Sequence, residues 1–125
     1  MEYIYFLANA SLTLRIIDYL EGVTDFQYPC ITVMHRITGW LIRIKFDLPI
    51  TSEQDKNFVA FLSELGIKYE PECDLKVVFE SLDYGQSRLE AMFRHKVLIV
   101  SHGHSERASV EDYCQKYQER LGYCP

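Results

Sequence analysis

The sequence predicts an α+β domain built on an antiparallel sheet with a β-hairpin at its centre. Residues 30–46, CITVMHRITGWLIRIKF, would span roughly 55 Å as one strand at about 3.3 Å per residue, so this stretch must turn. Residues 3–8 and 96–101 are apolar on both alternating faces, which is typical of strands covered on both sides. Between and after these segments, apolar residues recur at helical spacing behind capping residues.

The length and charge restrict the class of protein. A chain of 125 residues without a Pro/Gly/Ser-rich linker is expected to form a single domain, 1–125. Its formal net charge of −5 argues against binding to nucleic-acid backbones. The start lacks a basic region and the apolar runs are too short to cross a membrane, so we expect a cytoplasmic protein with no membrane partner.

Cysteine and tyrosine usage adds two expectations. The four cysteines are widely spaced and form no CxxC pair, which predicts reduced thiols rather than a disulfide framework or a metal site; they are Cys30, Cys73, Cys114 and the more exposed Cys124. Nine tyrosines are an excess for this length, and tyrosine is enriched at protein interfaces. The composition therefore favours a binding role.

The first two elements are a strand and a helix. Tyr3 to Ala8 is predicted to be a central strand because both of its faces are apolar. A helix is expected over roughly Ser11 to Glu21, closed by Gly22. Asn9 and Ser11 can both cap it, and its apolar stripe includes Leu12, Ile16, Ile17, Leu20 and Val23.

The hairpin register is predicted from its apolar face. The local breaker is Thr38-Gly39, and a turn there pairs Ile37 with Trp40, His35 with Ile42, Val33 with Ile44 and Ile31 with Phe46. A four-residue loop from Ile37 to Trp40 would preserve the same register and avoid positive φ at Thr38. The opposite face is mixed and largely polar, carrying Thr32, Met34, Arg36, Leu41, Arg43 and Lys45.

Three further helices and a strand follow the hairpin. Ser52 and Asp55 have capping-box spacing before a stripe of Phe58, Phe61, Leu62 and Leu65. Residues 75–82 are β-branched enough for a strand, but their spacing favours a helix that continues through Leu89, Met92 and Phe93 and is broken or kinked near Gly85. Lys96 to Ser101 is predicted to be a buried strand, and a last helix should begin near Ser109.

The predicted order of elements is β-α-β-β-α-α-β-α. This order resembles a ferredoxin-like (split βαβ) sheet with a central β-hairpin and additional helices. In such a sheet the arm Trp40 to Phe46 lies inside, and the arm Ile31 to Ile37 lies at the edge. Strands that are apolar on both faces also require the second face to be covered by helices or by another subunit.

The sharpest candidate for chemistry is His102-Gly103-His104, expected in a loop at the exit of the last strand. Two histidines around a glycine could ligate a metal with Glu106 or Cys114 as a third ligand, or one could act as a general base. The simpler interpretation is a polar turn in which glycine supplies backbone freedom. Two histidines alone are an incomplete site, so no catalytic residue, metal or cofactor is assigned.

The remaining candidates lie on the hairpin. His35 stands on the apolar face, where packing alone does not explain it. Trp40 could anchor a partner or pack in the core. The opposite face offers Met34 and Leu41 beside a small basic patch of Arg36, Arg43 and Lys45, which could meet a protein or, against the net charge, nucleic acid.

These observations favour a small acidic protein that acts by protein–protein binding in a regulatory, adaptor or inhibitor-like role and forms homo-oligomers. The predicted binding residues are Met34, Arg36, Trp40, Leu41, Arg43, His102 and His104. The alternative is a small-ligand or metal-dependent enzyme or sensor that uses the His102-Gly103-His104 loop.

Overall fold

A computed structural model describes residues 1–22, 27–104 and 107–121, apart from the side chain of Leu121. Its strands are β1 (Glu2–Leu7), β2 (Cys30–Arg36), β3 (Gly39–Lys45), β4 (Ile67–Lys68) and β5 (Ile99–Gly103). Its helices are α1 (Ala10–Gly22), α2 (Ser52–Leu65), α3 (Cys73–Asp83), α4 (Arg88–His95) and α5 (Arg107–Leu121). The predicted α+β class is confirmed.

The strands form one antiparallel sheet in the order β4-β1-β3-β2-β5. β3 lies inside the sheet as predicted, but the prediction that β2 lies at the edge is wrong because β5 pairs with its outer side. The predicted element order also lacked β4, the two-residue strand Ile67–Lys68 that pairs with β1. Ile67-Lys68-Tyr69 could begin a strand from the sequence, but a segment this short carries no periodicity that would establish one.

The hairpin register is shifted by two residues from the predicted one. His35 lies opposite Trp40 and Val33 opposite Ile42, so the turn is at Ile37 and Thr38 and Ile37 is fully exposed. Gly39 is not in the turn but begins β3, with φ +151°, against β1. A Cβ there would lie 2.6 Å from the Phe6 ring, so this position requires glycine for close approach of two strands.

A shift of two leaves each side chain on its predicted face, and the structure covers both faces. α1, α2 and α5 pack on the first face in a core that includes Trp40, Ile42, Ile44, Phe58, Ile17 and Val110. α3 and α4 pack on the second face, around Met34, Leu41, Leu75, Val78 and Ala91. The largely polar face of the hairpin is therefore a second, smaller core.

The helix boundaries follow their caps. Asn9 caps α1, since its side chain accepts from the Leu12 amide. The capping box of α2 is formed by Thr51 and Gln54, not by Ser52 and Asp55, so the helix begins one residue earlier than the predicted box implies. α5 begins at Arg107, slightly before the predicted start. Val23, Glu106 and Cys124, which the sequence expectations include, lie outside the described residues.

Residues 75–82 are helical, within α3. The predicted break near Gly85 separates α3 from α4, and Gly85 has φ +96°. α4 ends at His95 and is followed by Lys96 in the left-handed conformation, so β5 begins at Ile99 instead of Lys96. As a result His102 and Gly103 belong to the strand, and the prediction that they form a loop is wrong.

β5 contains a bulge. Ser101 and Ile99 lie opposite the consecutive residues Val33 and Met34 of β2, so Val100 is an extra residue in the edge strand. The guanidinium of Arg88, at the start of α4, donates to the Val100 carbonyl at 2.5 Å. This contact joins α4 to the edge of the sheet.

Among the described residues, the helices are too short or too polar to cross a membrane.

Candidate functional site

A groove of about 860 Å³ lies at the tip of the hairpin, and we call it the hairpin-tip groove. It is bordered by the end of β2 and the turn, the first two turns of α3 with the segment before it, and the segment that joins α4 to β5. Its volume is in the range of small-molecule and peptide sites in proteins. The residues that line it are Phe6, Met34 to Thr38, Tyr69, Glu72, Asp74, Leu75, Val77, Val78, His95 to Leu98 and Tyr117.

The base of this groove is apolar. Met34, Leu75 and Val78 are buried residues of the second core that also line the groove. Three aliphatic side chains line it from exposed positions: Ile37 is fully exposed, Val77 is 49% exposed and Leu98 is 44% exposed. Apolar surface thus continues from the base to the rim, which is typical of a surface that another molecule covers.

One wall carries a network of three polar side chains. Arg36 donates to the Tyr69 hydroxyl at 3.1 Å and to the Glu72 carboxylate at 3.0 Å, and the Tyr69 hydroxyl donates to Glu72 at 2.7 Å. The hydrogen bond from Tyr69, together with the Arg36 guanidinium, holds the pKa of Glu72 below its ordinary value. This mutual pairing orients the side chains and compensates the charge of Arg36.

The other wall carries basic residues. His95 ends α4, and its Nε2 lies 3.3 Å from the Ser81 hydroxyl. Lys96 follows in the left-handed conformation with an exposed side chain. Asp74, in the first turn of α3 and close in the chain to Glu72, also lines the groove. The lining of the groove therefore contains carboxylates from the start of α3 and basic residues from the end of α4.

His35 joins the groove to an aromatic cluster on the first face. Its ring stacks on Trp40 at 4.5 Å, and its Nδ1 lies 2.7 Å from the Tyr113 hydroxyl. Tyr117 packs edge-on against the same ring at 5.1 Å and also lines the groove. Burial lowers the pKa of His35. The hydrogen-bond partner of His35, which the sequence alone did not identify, is Tyr113 of α5.

The predicted binding residues do not lie together. Met34 and Arg36 line the hairpin-tip groove. Trp40 and Leu41 are core residues on opposite faces, so neither is exposed to a partner in this fold. Arg43 is also buried, beneath α3.

Arg43 forms the largest polar network of the second face. Its side chain is only 4% exposed, and it binds both carboxylate oxygens of Asp83 at 2.9 and 2.7 Å and Glu2 at 2.7 Å. Its guanidinium also lies over the Phe79 ring at 4.8 Å. Hydrogen bonds from Arg43 hold the pKa of Asp83 below its ordinary value. This network fixes the end of α3 on the sheet and leaves Arg43 no open side.

The two histidines around Gly103 have different surroundings. His102 is half-buried, and its Nδ1 lies 2.7 Å from the Thr32 hydroxyl. Burial, with a smaller effect of the Arg43 charge, lowers its pKa. His104 is exposed, with its ring 5.8 Å from that of Tyr28. Within the described residues, no three potential ligands of the His, Cys, Asp and Glu types come together around a metal position.

Sequence reasoning did not find Tyr69, Glu72 and Lys96 as neighbours of Met34 and Arg36. Asp74 lies in the first turn of α3, where the helix dipole explains an acidic residue, whereas Glu72 also pairs with Arg36. The one available signal was Tyr69, an amphipathic aromatic residue three positions before an acid.

A second surface feature lies on α4, and we call it the α4 ridge: Gln86, Leu89, Glu90, Phe93 and Arg94. Leu89 is 66% exposed and Phe93 is 90% exposed, so the prediction that they continue the buried stripe of α3 is wrong. The break at Gly85 resets the helix phase, and Ala91 is the buried residue of α4 instead.

Comparisons of the chain with protein-family models, curated proteins and solved structures found no match.

Proposed function

We propose that this protein is a protein-binding module and that the hairpin-tip groove accepts an extended segment of a partner protein. The observation that carries this proposal is the set of exposed aliphatic side chains, Ile37, Val77 and Leu98, around a buried apolar base. A small molecule seated in the base would leave these rim residues in water, whereas a polypeptide would cover them. A regulatory, adaptor or inhibitor-like role is consistent with such a module.

The charges of the walls define the partner segment further. Glu72 and Asp74 line the groove at the start of α3, and Lys96 lines it at the end of α4. A bound segment should therefore carry aliphatic side chains at its centre, a basic flank toward the start of α3 and an acidic flank toward Lys96. Met34 at the base suits this function because an unbranched thioether adapts to different apolar side chains.

A displayed library of short peptides tests this proposal. Peptides are selected on the wild-type protein, and their affinities are then measured by titration calorimetry. Val77→Arg and Leu98→Arg should each weaken binding at least about tenfold, since a buried apolar contact is replaced by a charge. Leu48→Arg is the matched control, because Leu48 is 64% exposed and is not among the lining residues.

Two results would overturn the proposal. One is that the selection enriches no peptide with an aliphatic centre. The other is that the selected peptides bind both groove variants as tightly as the control. Lys96→Glu adds a test of orientation, since it should shift the selected sequences from an acidic to a basic flank on that side.

The alternative function, a small-ligand or metal-dependent enzyme or sensor using His102-Gly103-His104, stays a prediction. The hydrogen bond of His102 to Thr32 leaves its Nε2 as the ring nitrogen available to a ligand. Elemental analysis of the purified protein is the direct measurement, and a bound transition metal lost in a His102→Ala/His104→Ala double variant would favour this alternative.

We also propose that β1, α1, β2, β3, α2 and β4 form a ferredoxin-like unit to which β5, α3, α4 and α5 are added. The order β4-β1-β3-β2 and the antiparallel pairing of these strands support this proposal. The thiols of Cys30 and Cys73, which form no disulfide, are consistent with a cytoplasmic location, which is likewise a proposal. An experimental structure would test the first, and localisation of a tagged chain the second.

A further inference from the structure

The α4 ridge is an apolar surface held rigidly by the opposite side of its helix. Ala91 is buried in the second core, Arg88 donates to the Val100 carbonyl, and His95 lies beside Ser81. These contacts fix the rotation of α4 about its own axis. Leu89 and Phe93, one turn apart, consequently point outward, and a shallow depression of about 770 Å³ lies along them.

Two opposite charges flank this apolar pair on the same face. Glu90 and Arg94 line the depression with Leu89 and Phe93, and both side chains are exposed. No ion pair joins either of them to another residue in the described parts of the chain. The ridge thus combines an uncovered apolar centre with one available anion and one available cation.

This pattern is complementary to itself. When two copies of one helix pack antiparallel about a two-fold axis, residues whose numbers are equally far from the axis face each other. If the axis passes between positions 91 and 92, Leu89 faces position 94 of the other copy, next to Phe93. Glu90 likewise faces position 93, next to Arg94. One residue is about 1.5 Å along a helix, so the same axis serves the apolar and the charged pairs.

We propose that the α4 ridge is the interface of a homodimer, in which α4 packs antiparallel against α4 of a second copy. Phe93 and Leu89 of the two copies form the apolar centre, and two Glu90–Arg94 ion pairs flank it. α4 has eight residues and is about 12 Å long, so the interface is smaller than the roughly 800 Å² per partner of a stable complex. The dimer is therefore weak and concentration-dependent.

This inference is independent of the proposed partner segment, because none of the residues of the α4 ridge lines the hairpin-tip groove. A second copy is favoured over a different protein because both charges of the ridge are matched by its own two-fold image. The exposed apolar pair would otherwise remain in water.

Sedimentation equilibrium of the full chain over a wide concentration range tests the proposal. The wild type should show a monomer–dimer equilibrium, and Phe93→Ala should raise the dissociation constant at least about tenfold. Leu48→Ala removes an apolar side chain that is 64% exposed elsewhere on the surface and should leave the equilibrium unchanged. Circular dichroism confirms that each variant is folded, as expected for substitutions at exposed positions.

A charge exchange tests the two-fold geometry itself. Glu90→Arg and Arg94→Glu should each weaken the dimer, because like charges then face each other across the axis. The double variant Glu90→Arg/Arg94→Glu should recover dimerisation, and mixing the two single variants should give a heterodimer in which both charge pairs are favourable. A monomer at all concentrations, a dimer insensitive to Phe93→Ala, or a double variant no better than the single ones would each overturn the proposal.

Discussion

Gly39→Ala should destabilise the fold more than any comparable glycine replacement, because two penalties coincide at this position. Its φ of +151° is one that a side chain disfavours, and such strain costs about 1–3 kcal/mol. The new Cβ would also lie 2.6 Å from the Phe6 ring and 2.7 Å from the Leu7 carbonyl oxygen. Overpacking of this kind adds about 1–3 kcal/mol, so the expected loss is about 2–6 kcal/mol.

Three other glycines separate these penalties. Gly85 has φ +96° but open space around a Cβ, so Gly85→Ala should show the strain alone, about 1–3 kcal/mol. Gly66 has an extended backbone, but its Cβ would meet the Phe6 carbonyl and the Leu7 side chain, so Gly66→Ala should show the overpacking alone. Gly22 has neither problem, and Gly22→Ala at the end of α1 should be neutral or slightly stabilising.

Urea unfolding followed by the fluorescence of Trp40, the sole tryptophan, measures all four variants. Trp40 is fully buried beside Gly39, so its emission reports the integrity of this part of the sheet. The reasoning is refuted if Gly39→Ala is as stable as Gly22→Ala. That result would mean that Gly39 does not lie against β1 and that the hairpin turns at Thr38-Gly39 after all.

Three further predictions concern the polar contacts. Arg43→Met should lower the free energy of unfolding by about 2–3 kcal/mol, less than for a fully buried pair because Asp83 is partly exposed. Arg43 lowers the pKa of Asp83, so the wild type should lose stability as pH falls below about 4 and Asp83 takes up a proton. Arg43→Met should not show this loss. Burial lowers the pKa of His35, so below about pH 6.5 the unfolded chain binds the proton more readily than the folded chain, and the wild type should lose stability as pH falls. His35→Phe should reduce this pH dependence, as measured in urea titrations between about pH 8 and 5. Thr51→Ala should cost about 1 kcal/mol by removing the cap of α2, whereas Thr51→Ser should keep it, as thermal unfolding would report.

Each of these predictions has a contradicting result. Arg43→Met would contradict the network if it unfolded at the wild-type urea concentration, and Lys45→Met is its control because Lys45 contacts the same carboxylate from a more exposed position. An unchanged pH dependence in His35→Phe would assign that dependence to His102, whose pKa burial also lowers. Equal stability of Thr51→Ala and Thr51→Ser would show that the capping box does not stabilise α2.

The faces of the hairpin could be predicted from the sequence, but its turn could not. The alternation of apolar residues assigns each side chain of β2 and β3 to a face, and a shift of two residues does not change that assignment. The choice between the two registers depends on Phe6 and Leu7 of another strand, which crowd Gly39. Local turn preference therefore suggested the wrong role for this glycine.

The candidate site could be predicted only in part, because its residues come from five separate parts of the chain. Met34 and Arg36 were identified from the mixed face of β2, since that face was neither clearly polar nor clearly apolar. Tyr69, Glu72 and Lys96 join them through the packing of α3 and the left-handed end of α4. Periodicity reports which face of one element is buried, and it carries no information on which distant segments meet.

The contact of Arg88 with the bulge of β5 has a consequence for solubility. A sheet whose faces are both covered can grow only at its edges, where unpaired backbone groups can template the strands of other chains into amyloid-like stacks. At one edge β4 is only two residues long. At the other edge the Arg88 guanidinium donates a hydrogen bond to the carbonyl of Val100, the extra residue of the bulge. At the β5 edge, which carries the apolar pair Ile99 and Val100, this protecting side chain belongs to the same helix as the proposed dimer interface.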